Sequence, residues 1–90
     1  MVPDDVALLK RIVSNPKVLS GKPIVRDTRI PVSLILDFVA NGMTVEEICK
    51  EYPQLEDEDI RAALVFAEKV TEGEGVLDEN VADFVKPLVL

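Results

Sequence analysis

Asn41-Gly42-Met43-Thr44-Val45-Glu46-Glu47-Ile48 holds a helix end, a turn and a helix start within eight residues. Gly42 suits the left-handed conformation that closes a helix, because it has no Cβ to meet the following carbonyl. Two residues later Thr44 opens a capping box, in which its hydroxyl accepts the Glu47 N–H and the Glu47 carboxylate accepts the Thr44 N–H. Met43 and Ile48 stand in the hydrophobic-staple positions on either side. Helices joined by so short a turn fold back on each other, which makes helix-turn-helix packing the organising idea for the chain.

Working outward, Ser33 is the expected N-cap of a helix over Leu34 to Asn41, with Ile35, Leu36, Phe38 and Val39 apolar around most of its circumference. After the turn, Val45, Ile48, Cys49 and Tyr52 fall at i, i+3, i+4 and i+7, one apolar face, and Pro53 closes that helix near Glu51. A third helix follows. Leu55 and Ile60 again fit a staple, Glu56 takes the cap position and Asp59 the N3 position. The acidic run Glu56 to Asp59 lies at the positive end of the helix dipole, where negative charge is favourable. Ile60, Ala63, Leu64 and Ala67 form the expected buried face. Phe66 and Val70 widen the apolar surface beyond what one copy is expected to cover, and Ala62, Ala63 and Ala67 permit a close neighbour.

Ahead of the helices, Pro23-Ile24-Val25-Arg26 and Arg29-Ile30-Pro31-Val32 are short β-prone stretches separated by Asp27-Thr28, the spacing of a hairpin with a two-residue loop. Asp tolerates the positive φ of such a loop better than most residues. Neither Pro23 nor Pro31 can donate a ladder bond, so both belong at strand ends or outer edges. Two strands alone are marginal, so the ribbon must lie on the helices or pair with a second copy. Further upstream, Ser14-Asn15-Pro16 has turn composition between Arg11-Ile12-Val13 and Lys17-Val18-Leu19, and Ser20-Gly21 supplies another bend. Residues 1–10 suit a short helix capped by Asp4 or Asp5, or an edge segment. The resulting class is small mixed β/α, an N-terminal β-hairpin element followed by a tri-helical helix-turn-helix core and a C-terminal tail. The division is residues 1–70 for the hairpin and helices and residues 71–90 for a flexible hinge, Glu72-Gly73-Glu74-Gly75, and an apolar segment. In that segment Val81, Phe84, Val85 and Leu88 recur at helical spacing. Leaving them in water costs about 25 cal/mol per Å² of apolar surface, so the tail is expected to dock on its own domain, a second subunit or another protein.

Ninety residues suffice for one core. The absence of histidine removes Cys-His and Ser-His-Asp catalysis and His-containing zinc sites together. Cys49, the single cysteine, reads as a small buried hydrophobe. No cofactor or metal site is expected. The glycine spacing of a phosphate loop is missing around Gly21-Lys22, and consecutive acids on one helix do not converge on a cation. No apolar run reaches the roughly 20 residues of a membrane span and no signal segment opens the chain, so a cytoplasmic protein without membrane contact is expected.

The formal net charge is −7, unevenly placed. Lys10 to Arg29 carries a local balance of +5, whereas the residues after Ile30 carry four basic and fourteen acidic side chains. A positive patch beside an acidic body follows. The third helix, the one a helix-turn-helix protein lays in the major groove, begins with four acids that phosphates would repel. The candidate nucleic-acid contacts are therefore Lys17, Lys22, Arg26 and Arg29, on a β-ribbon or arm; the plain alternative is a solvated hairpin face.

The string Gly21-Lys22-Pro23-Ile24-Val25-Arg26-Asp27-Thr28-Arg29-Ile30-Pro31-Val32 resembles the signature of the DUF433 family, small proteins of bacteria and archaea. So do Asn41 to Ile48, Tyr52-Pro53-Gln54-Leu55 and Asp59-Ile60-Arg61-Ala62-Ala63-Leu64, and the match spans about residues 11–70. The resemblance implies a homeodomain-like tri-helical fold preceded by a β element. It also implies kinship with antitoxins of toxin-antitoxin systems, encoded beside a PIN-like ribonuclease toxin, and carries over no catalytic residue. Two positions depart from the family pattern: Asp27 stands where Gly is usual, and Glu56 where a Thr or Ser cap is common.

The expected function is thus not enzymatic. It is an antitoxin-like protein-interaction module that neutralises a PIN-like ribonuclease toxin, with a dimeric helix-turn-helix DNA-binding autorepressor as the alternative. A homodimer is the expected assembly, with Phe66, Val70, Val81, Phe84, Val85 and Leu88 as candidate partner or dimer contacts.

Overall fold

The computed structural model describes residues 3–73. Val81, Phe84, Val85 and Leu88, with the rest of residues 74–90, lie outside the described residues. The chain runs through helix α1 (Pro3–Leu9), strand β1 (Ile12–Val13), a 3-10 turn (Leu19–Gly21), strand β2 (Ile24–Val25) and helices α2 (Val32–Ala40), α3 (Val45–Glu51) and α4 (Asp57–Glu72). Of the two readings of the first ten residues, the helical one holds, but it starts at Pro3, so Asp4 and Asp5 sit inside it rather than capping it. Proline fits the first helical turn, where its missing N–H leaves no bond unmade.

The β element has one more limb than its sequence signal. β1 pairs antiparallel with β2, Ile12 opposite Val25 and Val13 opposite Ile24. On the other side of β2, Ile24 bridges to Pro31, the Val25 N–H donates to the Ile30 carbonyl (3.0 Å) and the Val32 N–H to the Pro23 carbonyl (2.9 Å). The hairpin therefore exists, but its loop is four residues, Arg26 to Arg29, not two. The reason is local. The Arg26 N–H is taken by the Arg11 carbonyl across the ribbon (2.7 Å). Thr28 closes the loop, its hydroxyl donating to the Val25 carbonyl (2.7 Å) and accepting the Ile30 N–H (3.0 Å). Asp27 takes a left-handed φ of 64°, which explains why a glycine would suit that position.

The upstream turn also forms. The Val18 N–H reaches the Asn15 carbonyl (2.9 Å) and the Lys17 N–H reaches Asn15 Oδ1 (2.9 Å), the Asx turn that asparagine makes without cost to the ladder.

α2 begins two residues earlier than Ser33 suggested. Its N-cap is Pro31, and no side-chain cap bond is made. The Val32 N–H, an orphan of the first turn, is satisfied by the Pro23 carbonyl of the ribbon instead. At the other end the Gly42 N–H donates to the Val39 carbonyl and the Met43 N–H to the Phe38 carbonyl (both 3.0 Å), with Gly42 at φ 87°. That pair of bonds is a Schellman closure. Thr44 and Glu47 form the expected capping box, 2.9 Å from the Thr44 N–H to Glu47 Oε1 and 3.2 Å from the Glu47 N–H to Thr44 Oγ1. Phe38 and Tyr52 then meet at a ring separation of 5.6 Å and pin the ends of α2 and α3 together.

The core gathers Val25, Ile30 and Val32 from the ribbon, Ile35 from α2, Ile48 from α3, Leu55, and Ile60 and Ala63 from α4. Ile35, Ile48 and Ile60 are fully buried, and each contributes about 1.5–3 kcal/mol relative to an exposed side chain. The ribbon thus lies on its own helices, as a marginal two-stranded element must. α4 is flanked by α1 as well as by α2 and α3. Consequently Ala62 is buried beside Ala63, whereas Leu64, expected on the buried face, is 41 % exposed. Ala67 is half-buried.

Candidate functional site

The start of α4 joins the acidic and basic halves of the chain. Glu56 is the N-cap, with extended φ/ψ. Asp59 does the capping from N3. Its Oδ2 accepts the Glu56 N–H (2.8 Å), while the Asp59 N–H goes to the Glu56 carbonyl (2.9 Å). The second oxygen, Oδ1, accepts from Nη1 of Arg11 (3.0 Å); the same nitrogen stands 3.8 Å from Glu56 Oε1. Asp59 is 5 % exposed. A carboxylate that deep is tolerable because both oxygens are bonded and a cation faces it. The hydrogen bond that Arg11 donates to Asp59 raises the Arg11 pKa above its already high value, against an opposing effect of burial, so Arg11 stays charged at every accessible pH. In contrast, Glu56, Asp57 and Glu58 are exposed around buried Asp59. They follow exposed Glu46, Glu47 and Glu51 on α3.

Of the basic residues singled out in the sequence, Lys17, Lys22, Arg26 and Arg29 are all exposed. Lys17 sits in the Asn15 turn, Lys22 follows the 3-10 turn, and Arg26 and Arg29 begin and end the hairpin loop. The structure brings one of the four into a concavity. Arg26, with Lys10, Arg11 and Arg61, lines an open cleft of about 450 Å³ whose remaining lining residues are Ala7, Leu8 and Glu58. Lys17, Lys22 and Arg29 are not part of it. Lys10 and Arg11 were visible in the local charge balance; Arg61 was not, because it arrives from α4, fifty residues away along the chain. Arg26 is positioned by its main-chain bond to Arg11 and by a long contact from Nη1 to the Lys10 carbonyl (3.5 Å). Its Nε is 4.0 Å from Asp27, an exposed pairing worth little.

Cys49 is half-buried rather than buried. Its Sγ faces Asp57 Oδ1 at 3.7 Å. Burial first, then the hydrogen bond and charge of Asp57, push the thiol pKa above its ordinary value. Such a thiol is a poor nucleophile at neutral pH. Glu47 moves the other way: its carboxylate accepts from the Thr44 N–H and hydroxyl region of the cap, which holds its pKa below the usual range.

Among the candidate partner contacts, Val70 is buried and Phe66 is half-buried against the core. The large apolar side chains that are exposed among the described residues are Val6, Leu19 and Leu64. Among the described residues no group of three or more acids, cysteines or histidines is placed to hold a metal ion. No described helix is long and apolar enough to cross a membrane.

Comparison with known proteins places this architecture. A family model for a protein of unknown function, DUF433, matches residues 12–67. The crystal structure of a DUF433 member from Anabaena variabilis ATCC 29413 superposes with a TM-score of 0.63 at 32 % identity, covering 86 % of this chain and 74 % of that one. The uncharacterized protein y4eO of Sinorhizobium fredii (strain NBRC 101917 / NGR234) is 44 % identical over 66 residues. That stretch is 72 % of this chain but 30 % of the relative, so the chain spans under a third of that protein's length. The family match runs from β1 through the ribbon, the capped α2–α3 turn and most of α4, and on that ground the chain belongs to the DUF433 family.

Proposed function

We propose that the chain is a protein-interaction module of the antitoxin kind, which covers a basic, PIN-like ribonuclease with the acidic start of α4. The observation that carries this reading is the exposure of Glu56, Asp57 and Glu58 around buried Asp59, which is paired with half-buried Arg11. The Arg11–Asp59 pair fixes the helix end, and the exposed acids are left to face a partner. An enzyme that cleaves RNA must present a positive surface to phosphates, and a fixed acidic patch competes for that surface and accelerates encounter. The partner class follows from the resemblance drawn from the sequence. In this reading the chain is cytoplasmic and performs no catalysis.

The test is co-expression with a PIN-like ribonuclease encoded beside this gene, followed by co-purification and an RNA-cleavage assay. The expected result is a stable complex with cleavage suppressed, and suppression weakened about tenfold or more by the combined changes Glu56→Gln, Asp57→Asn and Glu58→Gln. A neighbourhood without such a gene, or a ribonuclease indifferent to the protein, contradicts the reading.

The exposure of Lys17, Lys22, Arg26 and Arg29 favours a second reading, a homodimeric DNA-binding regulator of its own operon. Titration of operator and scrambled DNA at two salt concentrations separates the two. Sequence-dependent affinity supports regulation, and equal affinity for both DNAs counts against it.

A further inference from the structure

The cleft between α1, the hairpin loop and α4 is unusual for a chain of net charge −7. Four of its seven lining residues are Lys10, Arg11, Arg26 and Arg61, and one, Glu58, is acidic. They converge from three separate elements, so neither local sequence nor a single helix face accounts for the concentration of charge. We propose that this cleft is an anion site for a phosphate group.

Three features favour that ligand chemistry. Three of the four cations are arginines, whose planar donor fork matches phosphate oxygens in pairs. Arg11 is held in place before any ligand arrives, because Nη1 is bonded to buried Asp59 (3.0 Å). A guanidinium has five N–H donors, so that bond leaves others to offer, and the entropy of fixing the side chain is already spent. Third, the lining includes no aromatic ring, so no aromatic side chain offers a platform for a base, and recognition falls first to charge and hydrogen bonds. Ala7 and Leu8 form the apolar wall. Glu58 is the acid lining the cleft; buried Asp59 offsets the charge of Arg11 from behind (3.0 Å), and exposed Glu56 and Asp27 lie near the Arg11 and Arg26 edges. The site lies outside the acidic contact proposed above except at Glu58, and does not rest on that reading.

The charge layout gives a pair of opposite signs to test. Full-length protein is titrated at low ionic strength with pyrophosphate, with a short single-stranded oligonucleotide and with a tetraglutamate peptide, following arginine side-chain NMR signals and calorimetry. Saturable pyrophosphate binding is expected, with shifts at Arg11, Arg26 and Arg61. Arg61→Gln should weaken it about tenfold and Glu58→Gln strengthen it several-fold, whereas Lys50→Gln and Glu51→Gln, equal charge changes on α3, should leave it within about twofold. Both Arg61 and Glu58 are exposed, so these variants fold. Oligonucleotide binding with the same dependence on Arg61 and Glu58 identifies a nucleic-acid backbone as the source of the phosphate; pyrophosphate binding without it identifies a small phosphorylated molecule. The proposal is overturned by tetraglutamate binding as well as pyrophosphate does, by no saturable phosphate binding, or by α3 variants shifting affinity as far as the cleft variants.

Discussion

Asp59 uses its two carboxylate oxygens on two different parts of the chain, Oδ1 on Arg11 Nη1 at 3.0 Å and Oδ2 on the Glu56 N–H at 2.8 Å. Arg11 immediately precedes β1, and Glu56 caps α4. One buried group therefore ties the N-terminal ribbon to the helix that carries the acidic surface. Replacing it removes a cap and strands a partly buried cation. Asp59→Ala is expected to cost about 2–4 kcal/mol in urea unfolding, below the full cost of breaking a deeply buried pair because Arg11 can regain water. Arg11→Ala keeps the cap but leaves buried Asp59 without its cation, so it should cost a comparable amount. A double-mutant cycle should return a coupling of about 1–2 kcal/mol; additive losses would mean the two residues do not interact.

Two positive-φ positions predict opposite signs. Asp27 holds φ 64° with its side chain 93 % exposed, so Asp27→Gly should stabilise by about 0.5–1 kcal/mol. Gly42 holds φ 87° with nothing within 4 Å of an added Cβ. Gly42→Ala should therefore destabilise by about 1 kcal/mol through backbone strain alone. Thermal unfolding of the two variants checks both, and equal signs would contradict the loop and cap geometries together.

The Glu47 carboxylate is held below the usual carboxylate range by its bonds to Thr44. A group with a depressed folded pKa stabilises fully above its unfolded pKa, and that contribution is lost as pH falls through the folded one. The stability gap between the wild type and Glu47→Gln should therefore be present at neutral pH and close as the pH drops below about 4. A gap constant from pH 7 to pH 3 would contradict the capping assignment.

Cys49, half-buried and facing Asp57, has its thiol pKa raised. Alkylation by iodoacetamide should be slower than for free cysteine at neutral pH, with its pH profile displaced upward. Asp57→Asn should move the profile back toward the free value, and an unchanged profile in that variant would remove Asp57 as a cause.

These outcomes follow the line between local and distant information. The Gly42 closure, the Thr44–Glu47 box and the Glu56–Asp59 cap position were legible because each is decided within four residues. The hairpin was legible as two stretches but not in its loop, since the Thr28 hydroxyl and the bond from Arg26 to Arg11 decide where pairing stops. β1 is two residues long, too short to leave a periodic signal, and Ser33 lost the cap of α2 because the ribbon supplies the bond to Val32. Leu64 looked buried from helical spacing, but α1 also covers α4 and sets which flank is outward. The basic cleft was invisible as a unit because Arg61 joins Lys10, Arg11 and Arg26 only once the chain is folded.

The acidic start of α4 as a partner-binding surface is tested most directly by the association rate with a PIN-like ribonuclease at low and high ionic strength. A steep fall in rate with added salt is expected for the wild-type chain, and a slower, nearly salt-independent rate for the variant neutralised at Glu56, Asp57 and Glu58. Equal rates and equal salt slopes for the two proteins would contradict it.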